Sequence, residues 1–107
     1  TISPIIRSVG SVASQFKSQI GTKEVIMISD LIENSETLSM YKPNWKRLSE
    51  SNLVNKSRPM LDDVEIEILW LMRPTEDRQT VEIREWWTKY LQKSGGYVST
   101  IIPMTGN

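Results

Sequence analysis

The sequence predicts an α/β fold of three layers, in which helices cover both faces of a mostly parallel sheet. Short apolar runs rich in β-branched residues alternate along the chain with segments of helical periodicity. Such alternation is typical of parallel strands joined by right-handed crossovers. The length of 107 residues and the hydrophobic content of 38% suit one domain with one modest core.

The first predicted element is a helix over residues 4–20. Ser3 is suited to its N-cap, Pro4 to its first helical position and Gly21 to its end. Apolar side chains recur at helical spacing and fall within an arc of roughly 120°. These side chains are Ile5, Ile6, Val9, Val12, Ala13, Phe16 and Ile20.

Two strands are predicted on either side of an irregular segment. Residues 25–28 are continuously apolar, which is typical of a strand buried on both faces, and the run ends at Ser29 and Asp30. Residues 64–71 alternate between apolar residues and glutamates before they become continuously apolar. Between the two strands, asparagine, serine and proline residues interrupt the periodicity, and only a short helix around 44–51 is predicted.

The last two predicted elements are a helix over about 77–93 and a strand over 97–102. The helix carries an apolar stripe that includes Trp86, Trp87 and Tyr90. An exposed aromatic platform for a sugar or a base is one interpretation of this stripe. Its helical spacing favours the other interpretation, in which the aromatic rings pack on the sheet.

The composition excludes several classes of site. The chain has no cysteine and no histidine, so thiol catalysis, zinc–thiolate sites, disulfides and imidazole chemistry are excluded. The formal net charge is zero, which predicts no general attraction to nucleic acid, and no apolar run is long enough to span a membrane. A local group of basic residues is interpreted as a solvated face rather than an anion-binding patch. This group comprises Lys42, Lys46, Arg47, Lys56 and Arg58.

Polar residues that follow the predicted strands are the first candidates for a site. In parallel α/β sheets, ligands bind outside the carboxyl ends of the strands. Asp30 directly follows the first strand, Arg73 follows the second, and Thr1–Ser3 precede the first helix at the same edge. Asp30 suits two roles, as a ligand of a hard divalent cation or as a residue that caps the following turn.

The segment Thr-Ile-Ser-Pro at 1–4, followed by a helix and by Val-Ile-Met-Ile-Ser-Asp at 25–30, resembles the central part of von Willebrand factor A-like domains. In that family a metal-ion-dependent adhesion site uses an Asp-x-Ser-x-Ser loop, a loop with a threonine, and an aspartate after a hydrophobic strand. Thr1 matches the threonine and Asp30 matches the aspartate. The Asp-x-Ser-x-Ser loop is absent from this sequence.

The resemblance implies a Rossmann-like fold and a partial adhesion site. Thr1 and Asp30 would be its metal-ligand positions, with Ser3 secondary, and the ion would be Mg²⁺ or Mn²⁺. The resemblance covers nearly all of this chain but only the C-terminal half of the family's domain. Because the chain begins with Thr1 rather than Met, we expect residues 1–107 to be a single α/β unit from a larger domain. We expect the ion to bind the intact parent domain and not this fragment.

The predicted function is a protein–protein interaction module rather than an enzyme. Arg73 and Trp45 are the candidate residues for contact with a partner, in addition to the metal positions. The alternative is a small doubly wound enzyme domain, a hydrolase or a phosphoryl-transfer enzyme, with its crevice at Asp30 and Arg73. A regulatory α/β domain that dimerises without a small ligand is a third interpretation.

The predicted partners are proteins, with no nucleic acid and no membrane span. In the family's sheet the strand that ends at Asp30 is central, so in this chain it would lie at an edge. That strand contains no proline, and it has only Lys23 and Glu24 before it as protection against pairing. We therefore expect residues 24–30 to pair with a second copy of the chain or with the complementary half of its parent domain.

Overall fold

The computed structural model of the protein describes residues 3–16 and 20–105. Helices and strands alternate along this part of the chain, as the sequence predicts. In chain order they are α1 (Ile5–Gln15), β1 (Lys23–Ser29), α2 (Trp45–Leu48), α3 (Asn52–Lys56), β2 (Val64–Met72), α4 (Val81–Lys93) and β3 (Tyr97–Thr105). None of the described helices is long and apolar enough to cross a membrane.

The three described strands form one parallel sheet in the order β1-β2-β3. Their register places Met27 of β1 beside Ile68 of β2, and Ile68 beside Ile101 of β3. The register between β2 and β3 shifts by one residue between Ile66 and Glu67. The predicted α/β class and the parallel sheet are confirmed.

The described helices cover only one face of this sheet. On the covered face, the side chains of β2 join a single core with side chains from α1, α3 and α4. On the opposite face, Ile26 and Ile28 of β1 are 60% and 63% exposed. For the described residues, the prediction of helices on both faces is wrong, and so is the prediction of a first strand buried on both faces. The buried side chains of β2 are Val64, Ile66, Ile68 and Trp70.

The strand order explains why one face stays uncovered. A right-handed crossover places its helix on the same side of the sheet each time the chain moves to the next strand in one direction. The order β1-β2-β3 never reverses direction. A doubly wound sheet reverses once, and that reversal brings helices to its second face. The described part of the chain therefore forms two layers, without a topological switch point.

The aromatic stripe of α4 packs in the core, as its spacing predicts. Trp87 is completely buried, and Tyr90 is nearly so. Trp86 is half-buried and stacks on Tyr90, with ring centroids 4.7 Å apart. The Trp87 indole Nε1 donates a hydrogen bond of 2.7 Å to the carbonyl of Leu31, so this side chain also holds the loop that follows β1.

α1 ends earlier than the predicted helix over 4–20. The helix described is Ile5–Gln15, and residues 17–19 lie outside the described part of the chain. Ile20 is fully exposed, so its assignment to the apolar stripe is wrong. Gly21 follows with a φ of 106°, a conformation that glycine adopts without strain.

A buried carboxylate replaces the predicted cap at the start of α1. The Ser3 side chain does not cap the helix; its backbone exchanges hydrogen bonds of 2.8 and 3.1 Å with the backbone of Asn34. Glu33, which is 1% exposed, accepts a hydrogen bond of 2.9 Å from the Ile6 N–H through Oε1. Burial raises the pKa of Glu33, because desolvation outweighs the hydrogen bonds that favour its charged form.

Other boundaries differ from the prediction by a few residues. The irregular segment forms two short helices, α2 and α3, where the sequence predicts one over 44–51. α4 begins later than the predicted start, because the Thr80 hydroxyl accepts a hydrogen bond from the Ile83 N–H as an N-cap. β3 continues beyond the predicted end and includes Pro103, which an edge strand tolerates.

Candidate functional site

The carboxyl edge of the sheet brings together the two strand-end residues that the sequence singles out. Asp30 follows β1, Arg73 follows β2, and these two strands are neighbours. The Arg73 Nη2 lies 2.9 Å from the Asp30 Oδ2. The predicted pair is therefore a salt bridge, and the Arg73 side chain is about half exposed.

The turn after β1 fixes the position of the Asp30 carboxylate. Its Oδ1 accepts a hydrogen bond of 3.0 Å from the Ile32 N–H, and the Ser29 hydroxyl accepts one of 2.9 Å from the Leu31 N–H. Leu31 has a φ of 64°, in the left-handed region that a branched side chain seldom adopts. Leu31 and Ile32 are completely buried, so their packing and these two hydrogen bonds hold the strained turn.

A glutamine joins the ends of β1 and β2. The Gln79 Nε2 donates to the carbonyls of Asp30 and Leu71, at 3.1 and 2.6 Å. Its Oε1 accepts a hydrogen bond of 2.7 Å from the Arg73 N–H, while the Trp70 indole donates to the Asp30 carbonyl at 3.0 Å. Gln79, which lies in the loop before α4, therefore holds the backbone of both salt-bridge residues, Asp30 and Arg73.

Tyr41, Glu76 and Arg78 complete a charged network around Arg73. Arg73 Nη2 donates to the Tyr41 hydroxyl at 3.2 Å and lies 3.7 Å from Glu76. Arg78 donates to Glu76 at 2.9 Å, and its guanidinium lies 4.8 Å from the centroid of the Tyr41 ring. The hydrogen bond to Tyr41 is the main cause that raises the pKa of Arg73, and hydrogen bonds from Arg78 lower the pKa of Glu76. The positive charges of the two arginines are thus balanced by the negative charges of Asp30 and Glu76.

This network does not by itself fit a divalent cation. Both carboxylate oxygens of Asp30 have partners, so a metal ion would have to displace Arg73. No group of three or more histidine, cysteine, aspartate or glutamate residues that could hold a metal occurs in the part of the chain that the structure describes. Thr1, a predicted ligand position, lies outside the described residues.

Trp45, the other predicted contact residue, lies on α2 and is half-buried. Its ring meets the edge of Trp86, with centroids 6.5 Å apart and planes at 82°. The adjacent Lys46 forms a salt bridge with Glu82 on α4. Trp45 therefore joins α2 to α4. The basic residues between 42 and 58 are all exposed, which agrees with their interpretation as a solvated face.

The uncovered side of the sheet, which we call the open face, is a second candidate surface. Its side chains alternate with those of the core and form rows across the three strands. The half toward the amino ends of the strands carries three glutamates and is called the acidic half, and the other half is apolar. The rows are Glu24–Glu65–Tyr97, Ile26–Glu67–Thr100, Ile28–Leu69–Ile102 and Leu71–Met104.

Large apolar side chains in the apolar half of the open face are exposed to solvent. Ile102 is 50% exposed, Met104 is 42% exposed and Leu71 is 41% exposed. Together with Ile28 they form adjacent positions on three paired strands. A contiguous exposed apolar patch of this kind is typical of an interaction surface.

The acidic half of the open face carries uncompensated negative charge. Glu24 lies beside Glu65, and the Tyr97 hydroxyl donates to Glu65 at 3.4 Å. Desolvation, and then the carboxylates of Glu65 and Glu24, raise the pKa of Tyr97. None of the salt bridges among the described residues involves Glu24, Glu65 or Glu67.

A groove of about 320 Å³ lies between α1 and β1. Val9 and Val12 line it from the helix, and Val25 and Met27 line it from the strand. In the described sheet, β1 pairs only with β2, so its other edge has no neighbouring strand. The apolar wall of the groove and the unpaired edge of β1 therefore lie together.

Comparison of the chain with protein-family models, with curated proteins and with solved structures gives no match.

Proposed function

We propose that this chain is a protein–protein interaction module that binds an extended segment of its partner along the free edge of β1. The observation that carries the proposal is the position of β1, an edge strand with an apolar groove beside it. A segment that adds to this edge gains main-chain hydrogen bonds, and its alternate side chains enter the groove. This mode of binding makes and breaks no covalent bond.

The sequence of β1 supports its role as the contact strand. Its charged residues, Lys23 and Glu24, stand only at its beginning, and it contains no proline. Natural edge strands are usually protected by lysine, proline or a bulge along their length. β3, the other edge strand, contains Pro103, which cannot donate a backbone hydrogen bond to a further strand.

A second copy of the chain supplies a suitable extended segment as its own β1. Two β1 strands related by a two-fold axis pair in antiparallel fashion, which joins two three-stranded sheets into one sheet of six strands. The resemblance to von Willebrand factor A-like domains also supports a further strand beside β1. Only that resemblance implies an adhesion-type site, with Thr1 and Asp30 as ligand positions for Mg²⁺ or Mn²⁺.

Interaction is better supported than catalysis at the carboxyl edge. Asp30 and Arg73 are each other's ion-pair partners, and Gln79 and the turn after β1 hold them in that pairing. A general acid, a base or a nucleophile must be able to reach its substrate. Here the carboxylate of Asp30 supports the turn and the neighbouring strand instead.

Size-exclusion chromatography with light scattering tests the proposal. We expect the chain to show twice its mass of 12.3 kDa at high micromolar concentration. The double variant Ile26→Lys with Ile28→Lys should run as a monomer, because lysine on an edge strand opposes strand pairing. Both side chains are about 60% exposed, so their replacement leaves the core intact.

The matched control is the double variant Leu53→Lys with Met60→Lys. These two side chains are 66% and 75% exposed and lie outside the sheet, so this variant should dimerise like the unaltered chain. A monodisperse 12.3 kDa monomer of the unaltered chain would overturn the proposal. Equal loss of the dimer in both double variants would overturn it as well.

A further inference from the structure

We infer that the open face binds a single amphipathic helix of a partner protein, apolar along one half of its length and rich in lysine or arginine along the other. The helix lies along the strands, with its apolar half over the apolar half of the open face. The open face shares Ile26 and Ile28 with the free edge of β1. The variants that test helix binding lie on β2 and β3, so either proposal can fail without the other.

The architecture leaves a place for one more layer. Sheets in which all strands are parallel occur almost only with both faces covered. Within the described residues, helices cover one face, and large apolar side chains occupy exposed positions of the other. Covering those side chains removes apolar surface from water, which is the main favourable term in association. The exposed side chains are Ile28, Leu71, Ile102 and Met104.

The dimensions of the open face match one helix. Three strands about 4.8 Å apart span about 10 Å between their outer axes. This is close to the diameter of a helix with its side chains, about 10–12 Å. β2 and β3 each have 9 residues. A strand of that length extends about 30 Å, which is the length of a helix of about 20 residues.

The charge of the open face specifies the chemistry of the helix. No lysine or arginine occupies an open-face position on the three described strands. Glu24 and Glu65 are neighbours of like charge, an arrangement that destabilises a sheet. Basic side chains placed over Glu24, Glu65 and Glu67 would relieve that repulsion and form charge-assisted hydrogen bonds. The partner is therefore basic over the acidic half.

A second copy of this chain does not fit the open face. If two copies stack with their strands parallel, six glutamates face one another across the interface. If the strands run antiparallel, the glutamates of each copy lie over the apolar half of the other and lose their water. A helix with lysine in one half avoids both costs. Complementary charge of this kind sets both the partner and its direction.

The test uses a synthetic peptide as the probe. It has about 20 residues, with leucines at helical spacing along its whole length and lysines grouped on one half. Binding to the unaltered chain is measured by fluorescence anisotropy of the labelled peptide. A second peptide carries glutamate in place of each lysine. We expect the lysine probe to bind and the glutamate probe to bind at least about tenfold more weakly.

Three variants of the chain make the test specific to the open face. Glu65→Lys with Glu67→Lys should weaken binding of the lysine probe by at least about tenfold and restore binding of the glutamate probe. The matched control, Glu50→Lys with Glu85→Lys, changes the net charge equally at exposed positions outside the open face. This control should leave the affinity unchanged. Ile102→Asp should weaken binding of both probes, since it removes an apolar contact without affecting β1.

Specific outcomes would overturn the inference. Equal binding of the two probes to the unaltered chain would show that the glutamates do not select the partner. Loss of lysine-probe binding in the control variant would place the contact elsewhere.

If Glu65→Lys with Glu67→Lys does not fold, a second measurement replaces it. Binding of the lysine probe to the unaltered chain is then measured with about 0.5 M NaCl added. The added salt should weaken the binding of the lysine probe several-fold. An affinity that does not change with salt would overturn the inference. Competition by neutral phospholipid vesicles would indicate a membrane surface in place of a helix and would also overturn it.

Discussion

Trp87→Ala should be among the most destabilising single substitutions in this chain. The indole is completely buried between α4 and the sheet, and its Nε1 donates a hydrogen bond of 2.7 Å to the carbonyl of Leu31. Removal of a buried tryptophan side chain costs about 3–5 kcal/mol through lost packing and the cavity that remains. The Leu31 carbonyl would also lose its indole donor, which adds about 1 kcal/mol or more. The expected loss is therefore about 4–6 kcal/mol, a large part of the stability of a small domain.

Trp87→Phe separates the packing contribution from the hydrogen bond. Phenylalanine keeps an aromatic ring in the core but has no N–H to donate to Leu31. We expect this variant to lose about 1–3 kcal/mol, less than the alanine variant. Urea unfolding followed by far-ultraviolet circular dichroism measures all variants on one scale, because that signal comes mainly from the peptide backbone.

Trp45→Ala is the control for this comparison. Trp45 is half-buried and makes an edge contact with Trp86, so its loss should cost about 1 kcal/mol. If Trp87→Ala and Trp45→Ala cost the same small amount, Trp87 does not hold the core together. The account of α4 as the element that fixes the sheet and the loop at Leu31 would then be refuted.

Three further outcomes are expected. Burial, and then the Glu33 carboxylate, raise the pKa of Tyr90 to about 12. The stability from its neutral hydroxyl is therefore complete below about pH 10 and is lost as the pH rises through about 12, by up to about 3 kcal/mol. Urea melts at both ends of that range should show that Tyr90→Phe removes this loss. Burial raises the pKa of Glu33 from its ordinary value near 4.5, so its contribution is present below that pH and is lost as the pH rises; Glu33→Gln should flatten this dependence in melts from about pH 4 to pH 8, and an unchanged slope would contradict it. Isothermal titration with Mg²⁺ or Mn²⁺ should give weak or no binding, because Asp30 is paired with Arg73; micromolar binding would show that the ion displaces that arginine.

The strands and the main helices could be predicted because local pattern determines them. The alternation from Val64 onward and the stripe through Trp87 each require only a few neighbouring residues to recognise. The boundaries were less accurate because caps depend on contacts outside the pattern. The start of α1 depends on Glu33, which approaches from a distant loop, and the start of α4 depends on the Thr80 hydroxyl.

The single covered face could not be predicted from local pattern. The run at 25–28 is apolar at every position, and such a run fits a doubly buried strand as well as an edge strand with an exposed apolar side. Only the strand order decides, and that order depends on long-range pairing between β1, β2 and β3. Register then reveals that Ile28, Leu69 and Ile102 form one row.

The candidate site at the carboxyl edge was predicted in part. Asp30 and Arg73 follow strands, and general rules of parallel sheets place both at the same edge. Gln79 and Tyr41 were missed, because Gln79 contacts Asp30 across 49 residues of sequence and Tyr41 lies in the irregular segment. The interpretation of Asp30 as a residue that caps the turn is confirmed by its hydrogen bond to the Ile32 N–H.

The exposed apolar residues of the strands lie on the open face and at the free edge of β1. On the covered face, apolar residues are buried, as Met27 and Ile68 illustrate. On the open face and at the edge of β1, exposed isoleucines occupy positions where a chain selected for stability alone would carry polar residues.

Ile26 and Ile28 belong to both surfaces, since they lie on the edge strand and on the open face. A strand that pairs with β1 would extend the open face sideways, and a helix on that face could contact the added strand. Strand pairing and helix docking are therefore expected to strengthen each other, and by thermodynamic linkage the coupling has the same size in both directions.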